Sequence, residues 1–244
     1  MIRVLWAAAV RNTVSTLRTY SLVFLYGAIT VLVIALTVVM TGSLGLKPLA
    51  AHDPQSPIIG VILGTTGTTA GLIAGGLAFT ILFGSPLTRE QTTGRLLVQV
   101  ASPLGAKGTW IARSASLWAI AWVVSVLAAF SAVSLMRTAW AQNYSMSSVP
   151  SEYYWSTFLI LPVFLAGTAA IINAIGLTSN AVAGSAAANG IYIGAIVLVA
   201  RLGAAGISPK WLMTWLGILA GATVVAAAVL GILVTKEKVT LACR

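Results

Sequence analysis

Few residues in this chain can do chemistry, and their positions narrow the reactions open to it. His52 and Asp53 are adjacent, and an imidazole beside a carboxylate is the start of a metal site. Such sites normally need three or more protein ligands, so a structural or solvated role is expected for this pair. The four acidic residues are Asp53, Glu90, Glu152 and Glu237, and none lies in the middle of an apolar run. Proton-coupled carriers place ionisable side chains inside the membrane, so a proton relay is not expected. Backbone carbonyls can still bind Na⁺, which leaves some secondary carriers open. An intramembrane serine protease would need a base, and the single histidine stands outside the apolar runs. A metal-dependent lipid transferase would need an acidic cluster, and Asp53 is the one aspartate. The string Gly105-Ala106-Lys107-Gly108-Thr109 has the wrong order for a phosphate-cradling GxxxxGK[ST] loop. No catalytic, cofactor-binding or metal-ligating residue is therefore expected on this chain. Cys243 is the lone cysteine, which excludes an internal disulfide.

The remaining polar signal is a cluster. Residues 85–113 hold Arg89, Arg95, Lys107 and Arg113, four of the 14 basic residues, together with Glu90. Long apolar runs flank this stretch. The chain is 59% hydrophobic and 7% charged, against roughly 25% charged in soluble domains. So few charges cannot make a water-facing surface, and an all-α integral membrane protein is expected. Spans of roughly 20 residues leave room for about six plus loops. The net charge of +10 sits in short segments beside apolar runs. That placement fits attraction to anionic inner-leaflet lipid rather than to nucleic acid.

Residues 1–19 read as an N-terminal interfacial helix. Arg3, Arg11 and Arg18 fall within an arc of roughly 80° on a helix, and Trp6, Val10 and Leu17 cluster on another side. Spans are expected at about 20–40, 58–83, 110–135, 155–175, 182–200 and 211–234. The first is long enough to cross and is expected to remain as an anchor. Pro48, Pro54 and Pro57 exclude a continuous helix from 41 to 57. In the second span Gly60, Gly64, Gly67, Gly71 and Gly75 share an arc of roughly 80°, a face for close helix approach or the wall of a pathway. Thr65, Thr66, Thr68 and Thr69 lie between them and can bond back to their own helix. Pro86 suits a helix start and Pro103 disfavours helix at Ser102. Between them Thr93, Leu97, Val100 and Leu104 share one face, and an amphipathic helix along the membrane surface is expected, weakened by Gly94. The loop beyond Arg137 is polar, with Asn143, Ser145, Ser147 and Ser148, and Glu152 to Trp155 mark the next boundary. Pro162 is expected to kink the fourth span. In the fifth, Ala183, Ala187, Gly190 and Gly194 form a second close-packing face, and Asn189 needs a partner helix or a cavity.

Six spans place both termini on one side. The N-terminal segment, residues 85–113 and the tail carry three, four and three basic residues; the opposite side has Lys47, Arg137, Arg201 and Lys210. The bias of cytoplasmic loops toward Lys and Arg then puts both termini and the central loop inside, in a multi-pass protein of the cell (plasma) membrane.

The central loop resembles the cytoplasmic segment of type-2 ABC permeases, the membrane subunits of ATP-driven exporters. Glu90 stands where that family has an acid, Gly94 and Leu96 stand at its glycine and leucine, and Ser102-Pro103-Leu104 matches its proline element. Ala112-Arg113 stands at its closing pair. Arg95 replaces the usual hydroxyl residue, and Leu97 the second acid. The resemblance covers the whole chain in layout and this loop in residues. It implies an ATPase-coupling loop with Arg89, Glu90, Gly94, Arg95, Leu97 and Pro103. It also implies partner cytosolic ABC ATPase subunits that bind ATP and Mg, and a second permease copy or paralogue. The alternatives are an ATP-independent carrier or a non-transporting membrane scaffold assembled through the glycine faces.

Overall fold

The computed structural model describes residues 2–17, 20–53, 56–142, 149–204 and 208–243. Arg18, Pro54, Asn143, Ser145, Ser147 and Ser148 lie outside the described residues. Every regular element among the described residues is helical: α1 (Ile2–Leu17), α2 (Tyr20–Thr41), α3 (Lys47–His52), α4 (Pro57–Thr92), α5 (Arg95–Ala101), α6 (Gly105–Trp140), α7 (Ser151–Trp155), α8 (Leu161–Thr178), α9 (Ala181–Ala204), α10 (Pro209–Leu233) and α11 (Lys236–Ala242). Among the described residues, six helical segments are long and apolar enough to cross a membrane. The chain thus has the build of a multi-pass, all-helical membrane protein.

The segments differ from the expected spans at their ends, and prolines account for much of the difference. A π-helical turn, Gly42–Leu46, carries α2 directly into α3. Pro48 then sits in the first turn of α3, where its missing N–H leaves no helical bond broken. The helix therefore runs through His52 rather than ending near Met40. Pro162 likewise falls in the first turn of α8, behind a second π-helical turn, Ser156–Ile160. The wider turn takes up the proline that would otherwise clash with the preceding carbonyl. Pro86 does not start a helix; it lies inside α4, which continues to Thr92. An interior proline costs about 3 kcal/mol in hydrogen bonding and clash. Full burial of Leu87 one residue later, with Leu82 and Phe83 beneath, holds the helix through it.

Helix α4 is the centre of the bundle, packed on α6, α9 and α2, and α8 joins it to α10. Its glycines make the close approach. A Cβ at Gly64 would overlap the Tyr153 ring, one at Gly67 would stand 2.6 Å from Val133 Cγ2, and one at Gly75 would stand 2.5 Å from Ser125 Oγ. Gly71 faces the backbone of α6, with its Cβ position 3.1 Å from the Ser125 carbonyl oxygen. Gly60 is buried on the same helix. Without a hydrophobic drive between helices in lipid, this contact must come from van der Waals packing, which small residues permit. On α9 the arrangement differs from the periodicity. Gly190 and Gly194 face open space within this chain. The packed side carries Gly184, Ala188, Ala195 and Val199 instead.

Hydroxyls and indoles cross-link the bundle. Thr66 and Thr68 bond back to the carbonyls of Ile62 and Gly64, at 2.8 and 3.0 Å, whereas Thr65 reaches Tyr153 Oη at 2.9 Å. Trp110 and Trp118 of α6 donate their indole N–H groups to the Ala170 and Pro162 carbonyls of α8, at 2.8 and 2.9 Å.

Gly167 of α8 has the least room of the α8–α10 contact: a Cβ there would stand 2.8 Å from the backbone carbon of Thr223. Gly167→Ala should destabilise the protein by about 1–3 kcal/mol through overpacking. Gly194→Ala, on an open face, should stay within about 0.5 kcal/mol of wild type. Reversible unfolding in mixed micelles measures both.

Candidate functional site

The charged stretch forms a compact cap at the end of the bundle that carries α1, α5 and α11. Helix α4 stops at Thr92 because Thr93 and Gly94 turn the chain. Gly94 has φ 71°, a left-handed conformation that suits glycine. The turn closes on Arg89: the Thr93 N–H donates to its carbonyl at 3.0 Å, and the Thr93 hydroxyl at 2.7 Å. Short α5 follows. Ser102 and Pro103 end it, and Gly105, at φ 63°, opens α6. The Leu104 N–H donates to Ser102 Oγ at 3.3 Å, and the Gly105 N–H to the Ser102 carbonyl at 3.0 Å.

The buried face of α5 is Leu96 and Val100, which press on the bundle. Leu97 and Val98 point outward, 37% and 73% exposed. The expected face of Thr93, Leu97, Val100 and Leu104 is therefore rotated. The break at Gly94 resets the helical phase, so periodicity counted across it does not hold. Arg89, Arg95 and Pro103 are exposed, and Gly94 is half-buried.

Glu90 forms an ion pair with Arg113, one helical segment away, rather than with its neighbours Arg89 or Arg95. The two side chains are 23% and 11% exposed. Arg113 sits in the third turn of α6, and its Nε has no hydrogen-bond partner among the described residues. Gln91 Nε2 donates to the Gly176 carbonyl at 3.0 Å, which ties the end of α4 to α8. The α4–α5 turn is thus held to α6 through an ion pair and to α8 through an amide. Sequence spacing pointed to neither contact; the one available signal was an arginine, Arg113, set among apolar residues well inside the start of α6.

Two further elements meet this cap. Helix α1 packs along α6, with Leu5 close to Gly108. Helix α11 packs on α8, α5 and α6 through fully buried Val239. Thr235 caps α11, accepting from the Lys238 N–H at 3.4 Å. Cys243, just beyond it, is a half-buried thiol whose pKa is raised by burial, which keeps it protonated.

Asn189 lies away from this cap, between α9 and α4. Thr80 Oγ1 donates to its Oδ1 at 2.9 Å and lies 3.3 Å from the Tyr192 hydroxyl. The neighbouring helix thus satisfies the amide oxygen. His52 and Asp53 are exposed at the opposite end, and no cluster of metal-ligating residues occurs among the described residues. No family model, no curated protein and no solved structure matches this chain.

The Glu90–Arg113 pair has a measurable consequence. Glu90→Gln or Arg113→Gln alone leaves one charge buried and should destabilise by about 3–5 kcal/mol. The double variant Glu90→Leu/Arg113→Leu should lose clearly less than the two single effects combined, because no unpaired charge remains. A double-mutant cycle by chemical unfolding reads the coupling, and strict additivity would show that the pair does not interact.

Proposed function

We propose that this chain is the membrane-spanning permease subunit of an ABC transporter, an exporter, powered by separate cytosolic ATPase chains. The observation that carries this reading is the α4–α5–α6 unit. Helices α4 and α6 have 36 residues each. At 1.5 Å per residue each is about 54 Å long, against about 30 Å of hydrocarbon. Each thus extends beyond the hydrocarbon, and the charge gathered at their shared end favours that end as the part in water; it carries a short helix with exposed cationic and apolar side chains. Such a handle suits a soluble partner that pushes on two spans at once. Its residues resemble, with departures at Arg95 and Leu97, the loop through which type-2 ABC permeases contact their ATPases.

On this reading both termini and the cap face the cytoplasm of the cell membrane. ATP and Mg belong to the partner ATPase, and a second permease copy or paralogue completes the pathway. The outward residues of the cap, Arg89, Arg95, Leu97, Val98 and Pro103, would touch the ATPase. The inward residues pass its movement on: Leu96 and Val100 to the bundle, Gln91 to α8, and the Glu90–Arg113 pair to α6. Rigid-body motion of packed helices then switches access from one side of the membrane to the other. Glu90 is thus a positioning residue rather than a docking residue. Reversing its charge would disturb the cap itself as well as any partner contact.

Val98 is the position that separates docking from folding. In vesicles holding this chain and its co-purifying ABC ATPase, Val98→Asp should lower transport-coupled ATP hydrolysis by at least about tenfold, as loss of a central interface contact does. Its unfolding free energy should be unchanged, since Val98 faces solvent. Vanadate-sensitive transport that survives Val98→Asp at wild-type rate, or no ABC ATPase in the purified complex, would refute the reading.

A further inference from the structure

A cleft of about 780 Å³ opens beside the cap, between α1 and α5, with the first turns of α6 as its floor. Its two side walls each bring one arginine: Arg11 from α1 and Arg95 from α5. Both arginines are exposed, and neither has an ion-pair partner among the described residues. Glu90 also lines the cleft, but Arg113 occupies its charge. The hydroxyls at the floor are engaged as well: Thr109 Oγ1 donates to the Gly105 carbonyl at 2.8 Å, and Ser102 Oγ to the Gln99 carbonyl. Two guanidinium groups therefore remain as cationic donors, one on each wall. The rest of the lining is mixed: Val4, Ala7, Ala8 and Leu104 are apolar, and Gln99 adds a polar side chain.

The level of the cleft narrows the ligand. On α6 the outer surface changes from exposed Lys107 to exposed Ile111 across the floor of the cleft, the change expected between headgroup and acyl layers. Helix α1, which forms one wall, turns Trp6 outward at 72% exposure, with Val10 beside it. A wholly aqueous anion would leave the apolar wall wet, and a neutral lipid would leave both arginines unpaired. We infer that the cleft binds the phosphodiester headgroup of an anionic glycerophospholipid, held between Arg11 and Arg95, with its glycerol and upper acyl carbons along Val4, Ala8 and Leu104. Basic pockets between helices at one membrane face are suited to such headgroups. The volume lies within the range of sites that enclose a small ligand. Guanidinium forks match phosphate oxygens in geometry as well as charge. The bound lipid would bridge α1 and α5 across the cleft.

The inference needs no motor chain and is tested on the full chain alone. The purified protein is offered phosphatidylglycerol and phosphatidylcholine together in detergent, and bound lipid is read by native mass spectrometry. Phosphatidylglycerol should be retained over phosphatidylcholine. Arg11→Gln and Arg95→Gln should each lower its retention by about fivefold, the change expected on losing one basic contact to anionic lipid. Arg11→Lys should lower it less than Arg11→Gln. Lys210→Gln, on the other end of the bundle, should leave it unchanged. Equal retention of the two lipids, or wild-type retention in both glutamine variants, would overturn the assignment. So would an equal loss in Lys210→Gln, which would mark unspecific charge attraction. Displacement of the lipid by excess inorganic phosphate would reassign the two arginines to a free phosphate and overturn the lipid. Because Arg11 and Arg95 sit on separate elements, either variant tests the site even where the other fails to fold.

Discussion

Close approach between α4 and its neighbours is the contact on which the rest of the structure depends. Lipid is as apolar as a leucine side chain, so helices in a membrane gain little from merely hiding apolar surface. They gain from short contacts over long lengths. Gly64, Gly67, Gly71 and Gly75 let α4 meet the Tyr153 ring and the backbone and side chains of α6 and α8 at distances a Cβ would forbid. On α8, Gly167, Gly176 and Gly184's neighbour Ile172 extend the same principle toward α10, α4 and α9. The tryptophan-to-carbonyl bonds from α6 to α8 then fix the axial register that smooth glycine contacts leave free.

The cap is built differently because it lies where charge is tolerated. Its two turns rely on left-handed glycines, Gly94 and Gly105, and on hydroxyls that cap the loose ends of α4 and α5. Half-burial of Glu90 and Arg113 carries a desolvation cost that only mutual pairing offsets. The pair therefore adds more to the definition of the turn than to the stability of the bundle. A cap anchored at α6 through Arg113 and at α8 through Gln91 cannot shift without moving both helices. That linkage is what gives the exposed face of α5 mechanical meaning under the proposed function.

Many buried polar groups in the spans find a carbonyl or another hydroxyl close by, although the Thr30, Ser125 and Ser156 hydroxyls have no partner among the described residues. Thr66 and Thr168 return to their own helices, Asn173 Nδ2 donates to the Ala169 carbonyl, and Thr80 meets Asn189.

The all-helical membrane class and six apolar helices were readable from the residues alone, because composition and run length report directly on solvent. The α4 glycine face was readable too, since a single uninterrupted helix preserves its 3.6-residue phase. Periodicity failed where the helix was interrupted or its partner lay far along the chain. Gly94 reset the phase of α5, so Leu96 rather than Leu97 turned inward. The prolines at 48, 86 and 162 were absorbed by π-helical turns or by tertiary packing. Gly190 and Gly194 faced outward because Gly184 and Ala188 already met the neighbouring helices. What the amino-acid order determined by itself was which segments shun water and where charge gathers, both local properties. Only the tertiary structure decided that Glu90 answers Arg113 and that Arg11 and Arg95 share a cleft, because opposite ends of long helices meet through packing, which no local spacing records.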